Sequence, residues 1–126
     1  QPTSPFRTTE FVKDAIELYN DGLDMVVSVM EASCNPYYNC YEENENGLLE
    51  RSKSLDIAIN RRQDAPRAYE YNGSIYVINP KSLKEKGMSH FTRVRKYEMQ
   101  DLYSIDLDTM LDWYIAEMIL EKKILE

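Results

Sequence analysis

Apolar residues at Phe11 or Val12, Ala15, Ile16 and Tyr19 share one face of a 3.6-residue repeat. Thr8 and Thr9 precede them as caps, Glu10 sits in the first turn and Gly22 lies just past the end, so the pattern predicts an amphipathic helix over residues 9 to 20. The run Met25-Val26-Val27-Ser28-Val29-Met30 is short, β-branched and almost wholly apolar, which predicts a strand buried on both faces. A helix feeding a buried strand points to a parallel α/β layer.

The pattern then weakens. Cys34 to Gly47, rich in Asn, Tyr and Glu, reads as a loop or a loosely held hairpin, and Leu48 to Ile59 has room for one or two short strands. Ser74-Ile75-Tyr76-Val77-Ile78 is aromatic and β-branched and predicts a strand, with a turn or bulge at Asn72-Gly73, where positive φ is tolerated. Pro80 to Gly87 predicts a short Lys-rich helix or turn, and Arg93 to Met99 an edge strand with its bases in water. Ser104 to Leu107 predicts a short strand. From Thr109 on, Leu111, Tyr114, Ile115, Met118 and Ile119 form the apolar face of a closing helix. No repeat, low-complexity tract or linker interrupts the chain.

Composition narrows the class. The chain has 126 residues, 43% of them apolar, with 10 Tyr and 3 Phe, enough to fill one core. No apolar run reaches the roughly 18 residues of a membrane span, and the first residues have neither a basic region nor an apolar one, so a soluble cytoplasmic protein is expected. A net charge of −7 argues against nucleic acid as a partner. Small anions stay possible where bases cluster, at Asn60-Arg61-Arg62-Gln63 and at Arg93-Val94-Arg95-Lys96. Cys34 and Cys40 match no zinc spacing and could at most close a small loop; two reduced thiols are expected. The chain opens at Gln1 without an initiator Met and runs at once into Pro-Thr-Ser-Pro, as expected of a fragment.

Four places carry candidate chemistry. On a strand, Asp106 and Asp108 would share one face with Leu107 pointing inward, and two carboxylates at a strand end suit Mg²⁺ with waters and substrate phosphates. The competing reading makes Asp108 a helix cap and Asp106 a surface acid. Arg61-Arg62-Gln63-Asp64 joins guanidinium forks to an amide, which suits a carboxylate or phosphate, or is simply a solvated charge run. Gln1-Pro2-Thr3-Ser4-Pro5 holds an amide and two hydroxyls on a stiff backbone, for a hydroxylated ligand or for plain capping. His90, the single histidine, has no nucleophile or second ligand at a useful spacing and is expected in an exposed loop.

In order, QPTSPFRT, a helix, VVSV, RRQDAPRAYEYNGSIYV and SIDLDTMLDWYIAE closely resemble the acylneuraminate cytidylyltransferase family along almost the whole chain. The resemblance implies transfer of CMP from CTP to the anomeric hydroxyl of a nine-carbon acidic sugar, with release of pyrophosphate. It implies a partial Rossmann-like α/β nucleotidyltransferase sheet, residues 1–126 forming one incomplete domain with a homodimerisation lobe at about 80–99. By the same resemblance Asp106 and Asp108 are the catalytic, Mg²⁺-binding aspartates. Gln1, Ser4, Arg62, Gln63, Asn72 and Tyr76 are then sugar-binding residues, and Phe91 is the aromatic that reaches a partner's pocket or packs on its own chain. The family's glycine-rich, basic CTP loop would lie upstream of Gln1, so the isolated chain is expected to be inactive. Glu70 stands where some bacterial members carry a sugar-contacting Arg. A synthetase for legionaminic or pseudaminic acid, or a non-catalytic dimerisation or sugar-binding module, are the alternatives.

Overall fold

The computed structural model describes residues 2–125 and has a mixed α/β architecture. Two compact units divide it: one made of residues up to Met30 and from Tyr71 onward, the other of Glu31–Glu70.

In the first unit, α1 (Thr9–Leu18) leads into β1 (Met25–Glu31). The Thr8 side chain caps α1 by accepting from the Phe11 N–H, and the helix ends at Tyr19, before Gly22. β1 is the middle strand of a three-stranded sheet, flanked by β4 (Tyr69–Ile78) and β5 (Val94–Glu98). β5 runs parallel to β1, with Met25 opposite Val94 and Val29 opposite Glu98. β4 runs the other way: Asn79 N–H bonds Asp24 O where β1 begins, and Ile75 meets Ser28 further along. The central position explains why Met25, Val26, Val27 and Val29 are all buried, each stabilising the fold by roughly 1.5–3 kcal/mol. The core gathers Ala15, Leu23, Val26, Ile75 and Met99, with Phe11 and Tyr103 edge to face at 5.0 Å. β4 is continuous through Asn72-Gly73, where Gly73 takes φ +72°, a conformation a side chain would strain.

Between β4 and β5 lies α2 (Pro80–Lys86), capped by Asn79 and closed by Gly87 at φ +69°. β5 forms the predicted edge strand, but its bases are not simply solvated. Arg93 Nε donates to Gly22 O at 2.6 Å in the loop before β1, and Arg95 donates to Leu18 O at 2.9 Å, placing one cation on the carbonyl end of α1, where the helix dipole favours it.

Two expectations fail near the C-terminus. No strand forms over Ser104–Leu107: Asp101–Ser104 tightens into a 3-10 turn, with Ser104 Oγ donating to Gln100 O. Among the described residues the segment after it makes one ladder-like bond, Leu107 N–H to Thr3 O at 2.9 Å. α3 (Met110–Glu121) does follow, started by a capping box in which Thr109 and Asp112 satisfy each other's backbone N–H. Its buried residues are Ala116 and Ile119, packed on Phe6, whereas Leu111, Tyr114, Ile115 and Met118 of the predicted face stay at least partly in solvent. Among the described residues no helix is long and apolar enough to cross a membrane.

The second unit is built on polar turns. Asn35 O accepts the N–H groups of Tyr38, Asn39 and Cys40, and its side chain reaches Pro66 O. This turn brings Cys34 and Cys40 to a Cα–Cα distance of 5.3 Å, where they are joined as a disulfide, correcting the expectation of two free thiols. The loosely held hairpin exists as β2 (Tyr41–Glu43) and β3 (Leu49–Arg51), antiparallel and exposed. The Asn44 side chain and Gly47 at φ +75° shape its turn.

Candidate functional site

Asp106 and Asp108 sit where extended chain turns into α3. They do not share a strand face, because the Asp108 N–H donates back to Asp106 O at 3.1 Å and to Asp112 Oδ2 at 3.0 Å rather than to a neighbouring strand. Leu107 does point inward, onto the cluster of Phe6, Ala116 and Ile119. The cap of α3 is Thr109, so Asp108 is not spent as a cap and stays exposed. Asp106 is half-buried, and among the described residues its Oδ1 is buried with no hydrogen-bond partner. A carboxylate oxygen shielded from water without a donor is an unfavourable resting arrangement that a cation or a ligand donor would relieve. The donor set, two carboxylates two residues apart in the chain, is of the kind that suits an ion such as Mg²⁺ that keeps waters and takes substrate oxygens. Nearby Asp112 is held below the usual carboxylate pKa, first by the Thr109 N–H and then by its hydroxyl.

Two more buried oxygens lack partners among the described residues, Ser4 Oγ and Ser74 Oγ. Three bonds tie their segments to that of Asp106: Leu107 N–H to Thr3 O, Arg7 to Ser74 O at 2.9 Å, and Asn72 Nδ2 to Ser104 Oγ at 2.9 Å. Ser74 was not singled out by the sequence, where it reads as one small residue of a strand.

Asn72 itself is fully committed. A chain of bonds runs from Ile75 N–H to Ser28 Oγ, from Ser28 to Asn72 Oδ1 at 2.6 Å, from Asn72 Nδ2 to Ser104, and from Ser104 to Gln100 O. Each donor polarises the next, and the network crosses from β1 through β4 to the turn that leads into Asp106. Replacing Asn72 by Ala takes the 2.6 Å acceptor from the buried Ser28 hydroxyl and a donor from the buried Ser104. Asn72→Ala is therefore expected to cost about 2 kcal/mol of stability, read by denaturant unfolding, and an unchanged midpoint would exclude this role.

In the second unit, Arg62–Asp64 form a 3-10 turn. Arg61 closes it with a two-pronged pair to Asp64 (3.1 and 3.2 Å), and Arg62 donates to Ala32 O. Arg62, Gln63, Ala65, Asn35, Glu31 and Arg67 line a cleft of about 390 Å³, where Glu31 faces Arg67 at 3.6 Å. Guanidinium groups beside two amides can take an anionic, hydroxylated ligand, with one carboxylate already paired. Glu70 is exposed.

The remaining candidates are dispersed. Tyr76 is exposed, its ring 6.5 Å from that of Tyr71. Phe91 is half-buried after a 3-10 turn at Met88–His90, and His90 is exposed as expected. Gln1 lies outside the described residues.

The first unit is thus α/β with two aspartates at a helix start, and the second unit carries an arginine–amide cleft whose groups suit a polar, anionic ligand. No protein-family model matches the chain. Along nearly its whole length, however, the chain is similar to proteins named CMP-N,N'-diacetyllegionaminic acid synthase and N-acylneuraminate cytidylyltransferase, in agreement with the resemblance carried by its motifs. It is 30% identical, over 96% of its length, to CMP-N,N'-diacetyllegionaminic acid synthase of Legionella pneumophila, covering 52% of that protein. It is 31% identical over 93% of its length to N-acylneuraminate cytidylyltransferase B of Danio rerio, and 34% identical over 90% to N-acylneuraminate cytidylyltransferase of Streptococcus agalactiae, covering 27% of each. The chain spans about half the length of the first relative and about a quarter of the other two.

Proposed function

We propose that this chain supplies the sugar- and metal-binding part of a cytidylyltransferase that transfers CMP from CTP to a nine-carbon acidic sugar, an N-acylneuraminate, releasing pyrophosphate. The observation that carries this reading is similarity along nearly the whole chain to a CMP-N,N'-diacetyllegionaminic acid synthase and to N-acylneuraminate cytidylyltransferases. The buried, partnerless Asp106 Oδ1 beside exposed Asp108 supports it at the level of the site.

In this reading Arg62 and Gln63 fix the sugar's carboxylate and hydroxyls, and Gln1, Ser4 and Tyr76 contribute further polar contacts. Asn72 holds the Gly73-Ser74 segment in shape through its bonds to Ser28 and Ser104. Asp106 and Asp108 would hold Mg²⁺, which would supply positive charge against the triphosphate. One of the same carboxylates takes the anomeric proton as the sugar oxygen attacks the α-phosphorus and pyrophosphate leaves. The acceleration comes from positioning and fixed charge. The reading also carries a Rossmann-like sheet, a cytoplasmic homodimer joined through residues 80–99 with Phe91 at the partner's pocket, and no nucleic-acid or membrane partner.

The test is pyrophosphate release by the full-length polypeptide supplied with CTP, Mg²⁺ and a panel of acidic sugars. Turnover with nine-carbon acids is expected, none by the 126-residue chain alone, and a preference for an eight-carbon acid would overturn the assignment. Legionaminic acid as the acceptor is the second reading, favoured by the Legionella pneumophila relative, and the same panel separates the two.

A further inference from the structure

The second unit has little apolar interior to hold it. Across Glu31–Glu70, Ile59 and Ala65 are the buried apolar side chains and Asn35 the buried polar one. A unit of about 40 residues with so small a core depends on cross-links and polar turns for its shape. The Cys34–Cys40 disulfide is such a cross-link, and it closes the loop that carries one wall of the arginine–amide cleft. Inside that loop Asn35 O accepts the N–H groups of Tyr38, Asn39 and Cys40, its own N–H donates to Asn39 Oδ1 at 2.7 Å, and its Nδ2 reaches Pro66 O at 2.9 Å. Asn35 also lines the cleft, and Arg62 is anchored on Ala32 O, just ahead of Cys34. Cys34 is exposed and Cys40 half-buried, so an incoming thiolate has access to the bond from the Cys34 side.

We infer that Cys34–Cys40 is a site of thiol–disulfide exchange with a dithiol reductant, and that its oxidation state sets the shape of the Arg62–Gln63 cleft. One thiolate of the reductant attacks the Cys34 sulfur, the S–S bond breaks, and Cys40 leaves as a thiolate that takes a proton. The reductant's second thiolate then closes its own disulfide and releases Cys34, which takes the second proton, so two electrons pass to the chain. With the bond open, the wall rests on hydrogen bonds alone; the loop loosens, Asn35 parts from Pro66, and the Ala32 carbonyl slackens under Arg62. In a reducing compartment a disulfide of this kind is transient and redox-sensing rather than structural. The consequence for a sugar acid rests on the proposed role of Arg62 and Gln63, whereas the exchange itself does not.

The 126-residue chain, oxidised with diamide or reduced with dithiothreitol, is compared by thiol titration and by amide hydrogen exchange. Cys34 and Cys40 are its only cysteines, so the oxidised chain should show no titratable thiol and the reduced chain two. On reduction, the amides of Tyr38, Asn39, Cys40 and Ala65 should exchange about tenfold faster or more, while that of Val27 in β1 keeps its rate. The double variant Cys34→Ser, Cys40→Ser should exchange as the reduced chain does and ignore dithiothreitol. Equal rates in the two wild-type forms, thiols that survive diamide, or a double variant that still responds would each overturn the inference, as would equal acceleration at Val27, the mark of general unfolding. In the full-length polypeptide, reduction should raise KM for the acidic sugar about tenfold, reversibly and with KM for CTP unchanged, and the double variant should lose the response. An unmoved sugar KM would overturn the inference. Absence of turnover in both states would strike the sugar reading alone, and the exchange rates would still decide the switch.

Discussion

Asp24→Ala is expected to lower the midpoint of thermal unfolding by about 10 °C or more, because one buried carboxylate joins β1, α2 and the start of β5. Asp24 Oδ2 accepts the backbone N–H groups of Thr92 and Arg93 at 3.0 Å and faces Lys86 Nζ at 3.1 Å, while Oδ1 accepts from Ser82 Oγ at 2.7 Å. Alanine leaves two backbone donors and the buried Ser82 hydroxyl without partners, whereas Asp24→Asn keeps the shape and should fall between. The Arg93 N–H, then Ser82, with Thr92 and Lys86 after them, hold the Asp24 carboxyl well below its ordinary pKa against the opposing effect of burial. The unfolded chain therefore takes up the proton first. The stabilisation is fully present above the ordinary carboxylate range and is lost as pH falls through and below it. The gap between wild type and Asp24→Ala should accordingly narrow on acidification, measured by circular dichroism melts across that range. A gap that widens instead would mean the carboxylate is not the group that matters.

The second large effect is on turnover. In the full-length polypeptide, Asp106→Asn is expected to reduce pyrophosphate release by about a hundredfold or more with the melting curve retained. The structure separates the two outcomes: Asp106 Oδ1 has no hydrogen-bond partner among the described residues, so exchanging that oxygen for an amide breaks no bond there and removes the charge alone. Asp108→Asn, at an exposed position outside the Thr109–Asp112 capping box, should behave the same way. Normal pyrophosphate release in both variants would remove the carboxylate pair from the mechanism.

Legibility followed the range of the interactions. α1, β1, α2 and β5 were readable because caps, glycine stops and apolar period act within a few residues. The Ser104–Leu107 strand was misread because a strand exists only if another backbone lies beside it, and Thr3 offers a single bond there. The disulfide was missed because six-residue spacing does not reveal the Asn35 turn that brings Cys34 to Cys40. Arg93 and Arg95 read as solvated bases, since nothing local shows that the Gly22 carbonyl and the end of α1 lie within their reach.

The same division runs through the site. By itself the sequence determined the similarity to its relatives and set the two aspartates and the Arg61–Asp64 run in the chain, because these are properties of residue type and order. Only the tertiary structure decided that Asp106 holds a shielded, partnerless oxygen, that Asn72 is bound into a buried network with Ser28 and Ser104, and that the face of α3 lies uncovered. Burial and hydrogen-bond satisfaction depend on which distant segments pack together, and no local spacing encodes that.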